Sequence, residues 1–285
     1  MVKSVWLLLG VVLVASIFDA VGDEPKPEPL NGWSKYYKEV AKDYDIRLKS
    51  RLNDPLVLIP EPVQVFSNPS SGRDTHGAFF IWTNKGRAEV IGSIWSRLAS
   101  ESPDSQRYIN HEFHSLAIEP LTATRKNRKE WTPETAGIEL KPIPDAPVPG
   151  NSPRQRLSQM KTMAQQFSGY SLFPRGAATP SETKMRILPT PLYRYSMGQS
   201  ESEVVDGAVF SMFIDWDPQI ILVIENRVAA DGNGWQYGVA HLDNKSLRLQ
   251  HNGIDVWTKK DTSLGSPALS YYARIGVELL PNVAK

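Results

Sequence analysis

The sequence predicts an α+β fold made of two tandem pseudo-symmetric repeats, each with one helix followed by an antiparallel sheet of about five strands. Two 21-residue segments, 77–97 and 207–227, align without a gap and share six identical residues. Shorter matches precede and follow both segments in the same order, at a nearly constant offset. Ordered matches of this kind are typical of an internal duplication.

Composition and the repeat matches together divide the chain into five parts. We assign 1–22 to a signal peptide, 23–30 to a Pro-rich spacer, 31–140 to the first repeat, 141–154 to a Pro-rich linker and 155–285 to the second repeat. The linker contains four prolines between 142 and 149. Proline removes a backbone donor and fixes φ, so a helix or a central strand is excluded there.

The N-terminal segment is typical of a secretory signal peptide. A positive MVK start precedes an uncharged apolar run from Val5 to Phe18, and the small residues Ala20 and Gly22 follow. The run is too short for a comfortable transmembrane span. We therefore expect a secreted or periplasmic protein, with an uncleaved N-terminal anchor as the alternative. No membrane span is expected beyond this segment.

The composition excludes several function classes. The chain has 32 basic and 31 acidic residues, so electrostatics gives no reason to expect a nucleic-acid partner. It has no cysteine, which excludes disulfides, thiolate nucleophiles, cysteine metal sites and a lipoprotein anchor. A chain of this length can bury a sufficient core without disulfides.

An apolar stripe at helical spacing predicts the helix that opens each repeat. In the first repeat the stripe lies within residues 33–48. In the second, Ser152 and Pro153 predict an N-cap followed by a proline at the first helical position. The stripe residues are Trp33, Tyr36, Tyr37, Val40, Ala41 and Tyr44 in the first helix, and Leu157, Met160, Met163, Ala164 and Phe167 in the second.

The strand predictions rest on turn residues between apolar runs. The segments 77–97 and 207–227 each contain a polar turn, NKGR or DWDP, which predicts a β-hairpin. The run IILVI at 220–224 is apolar on both faces, as in a central strand that is covered on both sides. Asn252-Gly253 predicts a second hairpin, with its counterpart at Lys126-Asn127. The basic run RKNRK around that counterpart is either a solvated hairpin tip or a patch that contacts phosphate or polysaccharide.

The segment HEFHS contains the densest set of candidate functional side chains: His111, Glu112 and His114. The zinc-protease pattern HExxH is absent, because the two histidines are three residues apart. In a strand, Glu112 and His114 share one face, while His111 and Phe113 share the other. An imidazole beside a carboxylate suits acid–base chemistry or metal binding, whereas a half-exposed strand with hydrogen-bonded histidines is the structural alternative.

A mononuclear metal site is the sharper hypothesis for this region. His76 precedes a predicted strand, and a meander would place that strand's start near HEFHS across one sheet face. The catalytic candidates are His76, Glu112 and His114. The candidate ligands for a divalent metal such as zinc, manganese or iron are Asp74, His76, His111, Glu112 and His114. The matched segment of the second repeat, YGVAH at 237–241, lacks the equivalent side chains.

Four segments, DTHGAFFIWTNKGR, HEFHSL, LPTPLYRY and DGAVFSMF, give the chain a resemblance to predicted-secreted proteins of planctomycete bacteria. The resemblance covers most of the chain after the signal segment. It implies export and a bacterial source. The resembled family has no activity assigned, so the resemblance implies no reaction, cofactor or site residue.

Two functions follow as hypotheses. The first is a non-catalytic envelope or secreted protein that binds a small molecule, a polysaccharide or an envelope protein between its two halves. The second is a metal-assisted hydrolase that uses the His/Glu cluster of the first repeat. The eight tryptophans either pack in the core or stack on sugar rings.

Overall fold

Strands dominate the fold. The computed structural model describes residues 32–68, 73–102, 105–173, 181–197, 203–229, 232–264 and 266–282. Of these residues 54% are in strands and 10% in helices, arranged as four antiparallel sheets with two helices. The α+β prediction of two helix-plus-sheet repeats is therefore wrong. The predicted signal peptide and spacer lie outside the described residues.

The first half of the chain contributes one helix and eight strands. These are α1 (Trp33–Lys42), β1 (Tyr44–Leu48), β2 (Val57–Leu58), β3 (Gln64–Ser67), β4 (Thr75–Asn84), β5 (Arg87–Leu98), β6 (Arg107–Ser115), β7 (Leu121–Arg125) and β8 (Arg128–Trp131).

The remaining elements begin in the predicted linker. They are β9 (Lys141–Pro142), α2 (Pro153–Gln165), β10 (Phe167–Phe173), β11 (Ser181–Lys184), β12 (Arg186–Ile187), β13 (Tyr193–Ser196), β14 (Val204–Ile214), β15 (Asp217–Ala229), β16 (Gly232–His241), β17 (Ser246–His251), β18 (Ile254–Lys259) and β19 (Tyr271–Leu280).

Two six-stranded sheets lie at the centre of the molecule. One has the order β19-β6-β5-β4-β2 with β3 also paired to β4, and the other has the order β12-β14-β15-β16-β9 with β13 also paired to β14. A hydrophobic cluster with residues from both sheets, including Phe79, Ile91, Val209 and Ile221, lies between them. The two sheets therefore pack face to face, and this interface joins the two halves of the chain.

Each central sheet is covered on its other face by a helix and a smaller sheet. Helix α1 and the sheet β1-β7-β8 share a hydrophobic cluster with the first central sheet. Helix α2 and the sheet β11-β10-β17-β18 do the same for the second. Strand β15 shows the consequence: Ile220, Leu222 and Ile224 pack in the outer cluster, while Ile221 and Val223 pack between the central sheets. The prediction of a strand covered on both faces is confirmed.

The predicted architecture of two helix-plus-sheet repeats is wrong because neither half forms a single sheet from its own strands alone. Each half builds one central and one outer sheet, but one linker strand joins the second central sheet and one strand from the second half joins the first. Strand β9, in the predicted linker, pairs with β16, and β19, in the region assigned to the second repeat, pairs with β6. The long strands follow one another in the same order in both central sheets, β4-β5-β6 and β14-β15-β16. The duplication inferred from the sequence matches stays a prediction.

Most of the predictions about single turns and helix ends are confirmed. The hairpins β4-β5, β14-β15, β7-β8 and β17-β18 are confirmed. Ser152 caps α2, with Gln155 completing a capping box. The first helix is shorter than predicted and ends at Lys42. The reason is that Tyr44, Ile46 and Leu48 are buried in alternation with less buried neighbours, which is the period of a strand.

Neither helix in the described part of the chain is long and apolar enough to cross a membrane.

Candidate ligand-binding site

The structure divides the predicted metal ligands between two faces of the first central sheet. His76 and His111 point to the outer layer that contains α1 and β1. The Tyr37 hydroxyl and His76 Nδ1 are hydrogen-bonded at 2.8 Å, and the Tyr44 hydroxyl and His111 Nδ1 at 2.6 Å. Burial lowers the pKa of His76 to about 4 and that of His111 to about 3. Both are neutral, hydrogen-bonded core histidines.

Asp74 lies near His76, close enough for its charge to act on the His76 pKa, whereas His114 lies apart from both. The Asp74 carboxylate accepts a hydrogen bond from the buried Arg107 guanidinium at 2.7 Å. His114 lies on the opposite face from His111, where its Nδ1 donates to the Ser115 carbonyl at 2.8 Å and its ring contacts His241, 4.8 Å between centroids. Burial lowers the pKa of His114 to about 4.

The five predicted ligands therefore do not converge. The alternation of β6 separates His111 from Glu112 and His114, as predicted, but the same alternation puts His76 with His111 rather than with Glu112. Within the described ranges no group of three or more His, Cys, Asp or Glu side chains could hold a metal ion.

Glu112 instead faces a cleft between the two halves of the chain, with a volume of about 400 Å³. The first half supplies residues of β3 to β6 and Asn68, which follows β3. The second half supplies the start of β15, the segment after β16, Leu264 and strand β19. The lining residues are Phe66, Asn68, Thr75, Trp95, Arg97, Glu112, Asp217, Gln219, Leu242, Asp243, Asn244, Lys245, Leu264, Tyr271, Ala273 and Ile275.

Glu112 is the most perturbed acid of the cleft. It lies between β5 and β19, in register with Ser93 and Ala273. The Tyr271 hydroxyl donates to its Oε1 at 2.6 Å, and the Ser93 hydroxyl to Oε2 at 3.4 Å. Burial raises the pKa of Glu112 to about 8, with further contributions from the negative charges of Asp217 and Asp243, although the Tyr271 hydrogen bond opposes this shift. At neutral pH the carboxyl group is mostly protonated.

Asp217 is a second desolvated acid in the same cleft. It is the first residue of β15. Burial raises its pKa to about 7, and the charge of Asp243 adds to the shift. Hydrogen bonds from Gln219 and Asn68 and the charge of Lys245 oppose it.

Neither Glu112 nor Asp217 has a salt-bridge partner among the described residues. The nearby Lys259 does not fill this role, because its Nζ donates to the carbonyls of Asp243 and Lys245 at 3.0 and 2.7 Å. Burial also lowers the pKa of Lys259 to about 8. Lys245 also lines the cleft, but its Nζ lies 4.0 Å from the Asp243 carboxylate and its charge only partly opposes the rise in the Asp217 pKa. Glu112 and Asp217 thus line the cleft without a salt bridge to any described residue, and both have a raised pKa.

Aromatic rings flank the two acids. The Tyr271 ring contacts that of His241 at 4.5 Å between centroids, and His241 in turn contacts His114. Burial, and next the proximity of His114, hold the pKa of His241 well below its ordinary value. These imidazoles are therefore neutral and add no positive charge beside the carboxyl groups. Trp95 contributes a further aromatic surface from β5.

Sequence reasoning found Glu112 but missed the residues around it. Asp217 belongs to the DWDP turn and was interpreted only as a turn residue, and Asp243 and Tyr271 are distant from Glu112 in sequence. Tyr271 reaches Glu112 because β19 pairs with β6 across 159 positions of the chain. A pairing at this distance leaves no local pattern in a single sequence.

Comparison of the chain with protein-family models, with curated proteins and with solved structures finds no match.

Proposed function

We propose that this protein is an exported, non-catalytic binding protein whose cleft takes a small polar ligand through an amino group on that ligand. The observation that carries the proposal is the pair of partly buried carboxyl groups, Glu112 and Asp217, which line one cleft and form no salt bridge within the described part of the protein.

Among the residues described, Glu112 and Asp217 each lack a salt bridge that would compensate a negative charge. Removing an ionised carboxylate from water costs free energy unless a cation or several hydrogen-bond donors compensate it. A carboxyl group without such compensation stays protonated instead. A ligand ammonium placed between Glu112 and Asp217 would favour their ionised forms and replace their protons. Trp95 and Tyr271 offer aromatic surface to the rest of the ligand.

The metal-assisted hydrolase has no observation in its favour, because its ligand set is divided between two sheet faces. Export is supported by the signal-like pattern of residues 1–22 and by the resemblance to predicted-secreted planctomycete proteins. Within that proposal the ligand is a molecule met outside the cytoplasm.

Thermal-shift measurements with matched ligand pairs test the proposal. We would use cyclohexylamine against cyclohexanol, and glucosamine against glucose, at pH 8, where Glu112 and Asp217 can ionise. Ligand binding to the folded state raises the melting temperature. We expect the amines to raise it and the hydroxyl analogues to leave it unchanged.

Two double variants provide the control. Glu112→Gln with Asp217→Asn should abolish the amine effect, whereas Glu134→Gln with Asp54→Asn, two exposed acids outside the cleft, should retain it. Equal shifts with amines and hydroxyl analogues, or an amine shift that survives in the cleft variant, would contradict the proposal.

A further inference from the structure

Arg97 lies in the same cleft as Glu112 and has no acidic partner among the residues that the structure describes. Its Nε is buried without a hydrogen-bond partner, and its guanidinium makes no salt bridge within the described ranges. Arg227, its match in the aligned 21-residue segments, differs: it binds Glu203 at 2.7 Å and Glu225 at 2.8 Å. The position matched to Glu225 is Trp95, so the first half lacks the carboxylate that neutralises the arginine of the second.

The strand register fixes how far apart Arg97 and Glu112 lie. Glu112 pairs with Ser93 on β5, and Arg97 follows four residues later on the same strand. An even spacing keeps both on one sheet face, and four residues span about 13 Å along a strand. Trp95 lies between them on that face. Arg97 and Glu112 therefore face the same cleft about 13 Å apart on one sheet face, and neither makes a salt bridge within the described residues.

The chemistry of the Arg97 end favours a carboxylate. A guanidinium forms paired, charge-assisted hydrogen bonds with planar oxyanions, and the partly desolvated setting strengthens them. A span of about 13 Å, shortened by the reach of both side chains, matches the distance between the two termini of an extended peptide of two to four residues, at about 3.3 Å per residue. Gln219 and Asn244 also line the cleft and offer amide groups.

We propose that the ligand is a short peptide with free termini, whose carboxylate binds Arg97 and whose amino group binds Glu112 and Asp217. This inference rests on the proposed function and adds the ligand class to it.

Titration calorimetry with tri-alanine, its C-terminal amide and its N-acetylated form tests the assignment on the full-length protein. For the wild type we expect both modified peptides to bind at least tenfold more weakly than tri-alanine. In Arg97→Gln, tri-alanine should bind as weakly as the amide binds the wild type. The affinity of the amide should be the same for Arg97→Gln and for the wild type. Arg128→Gln, an exposed arginine on β8, is the matched control and should bind like the wild type.

Arg97→Lys keeps the proposal testable if the glutamine variant is unstable, because lysine retains the charge and should restore part of the preference for the free carboxylate. An undiminished preference for tri-alanine over its amide in Arg97→Gln overturns the role of Arg97. Absence of tri-alanine binding, with the thermal shifts by simple amines intact, overturns the peptide assignment but leaves the proposed function standing. Absence of the thermal shifts by simple amines as well would contradict both the proposed function and the peptide assignment.

Discussion

Folding takes the Glu112 carboxyl group largely out of water and places it near the negative charges of Asp217 and Asp243. Its pKa is raised from the ordinary value of 4.5 to about 8, first by burial. The folded protein therefore holds a proton that the unfolded chain releases at lower pH. The stabilisation that comes from this bound proton is fully present below pH 4.5 and is lost as the pH rises towards 8.

Glu112→Gln should remove this pH dependence, because glutamine is a neutral isostere whose Oε1 still accepts the Tyr271 hydrogen bond. The slope for one proton is about 1.4 kcal/mol per pH unit. We expect the free energy of unfolding of the variant to rise relative to the wild type by up to that amount per unit between pH 4.5 and 8. Urea titrations at pH 5, 6, 7 and 8 measure it.

The control for this series is Glu134→Gln, since Glu134 is exposed and lies outside the cleft. Its stability curve should run parallel to that of the wild type. Parallel curves for Glu112→Gln as well would show that Glu112 is ionised in the folded protein at neutral pH, and the charge argument for the cleft would fail.

At the scale of elements, short-range chemistry decided which features the sequence could predict. Asn252 and Gly253 adopt φ of 48° and 82°, which explains why Asn-Gly predicted a hairpin there. Ser152 and Pro153 likewise marked the start of α2. The second sheet of each half, the pairing of β19 with β6 and the cleft itself depend on residues far apart in the chain. Hydrophobic periodicity shows which face of a strand is buried, but not which sheet covers it.

Gly253→Ala should destabilise the protein by about 1 kcal/mol, because φ at this position lies in the left-handed region, where a Cβ is strained. A steric clash is not the reason, since a Cβ at Gly253 would meet nothing within 4 Å. Gly234→Ala is the matched control: it is equally open but has no such φ. Chemical denaturation compares the two, and an equal effect of both substitutions would rule out the backbone explanation.

At the scale of the whole molecule, the two central sheets are joined by buried charge as well as by apolar contacts. Arg87 of β5 donates to Glu225 of β15 at 2.8 Å and to Glu89 at 2.6 Å. Glu225 also receives hydrogen bonds from Arg227 and Tyr195. This network lies beside the apolar cluster between the sheets, so both halves contribute to one continuous interior.

Arg87→Met should cost about 3 kcal/mol of unfolding free energy, because it leaves Glu225 and Glu89 buried with fewer partners. We expect the transition to remain a single step, since β19 and β9 still link the halves. Urea denaturation followed by tryptophan fluorescence and by circular dichroism measures both properties. Arg128→Met, at an exposed position of β8, serves as the control and should change stability by less than about 0.5 kcal/mol. A similarly small effect of Arg87→Met would mean that the buried network adds little to the packing of the two sheets.

The central claim is that the cleft between the two sheets binds a ligand through Glu112 and Asp217. A crystal structure of the protein with the amine or peptide that gives the largest thermal shift tests this most directly. We expect the ligand nitrogen to lie about 3 Å from a carboxylate oxygen of Glu112 or Asp217. A ligand ordered elsewhere on the molecule, with the cleft occupied by water alone, would contradict the claim.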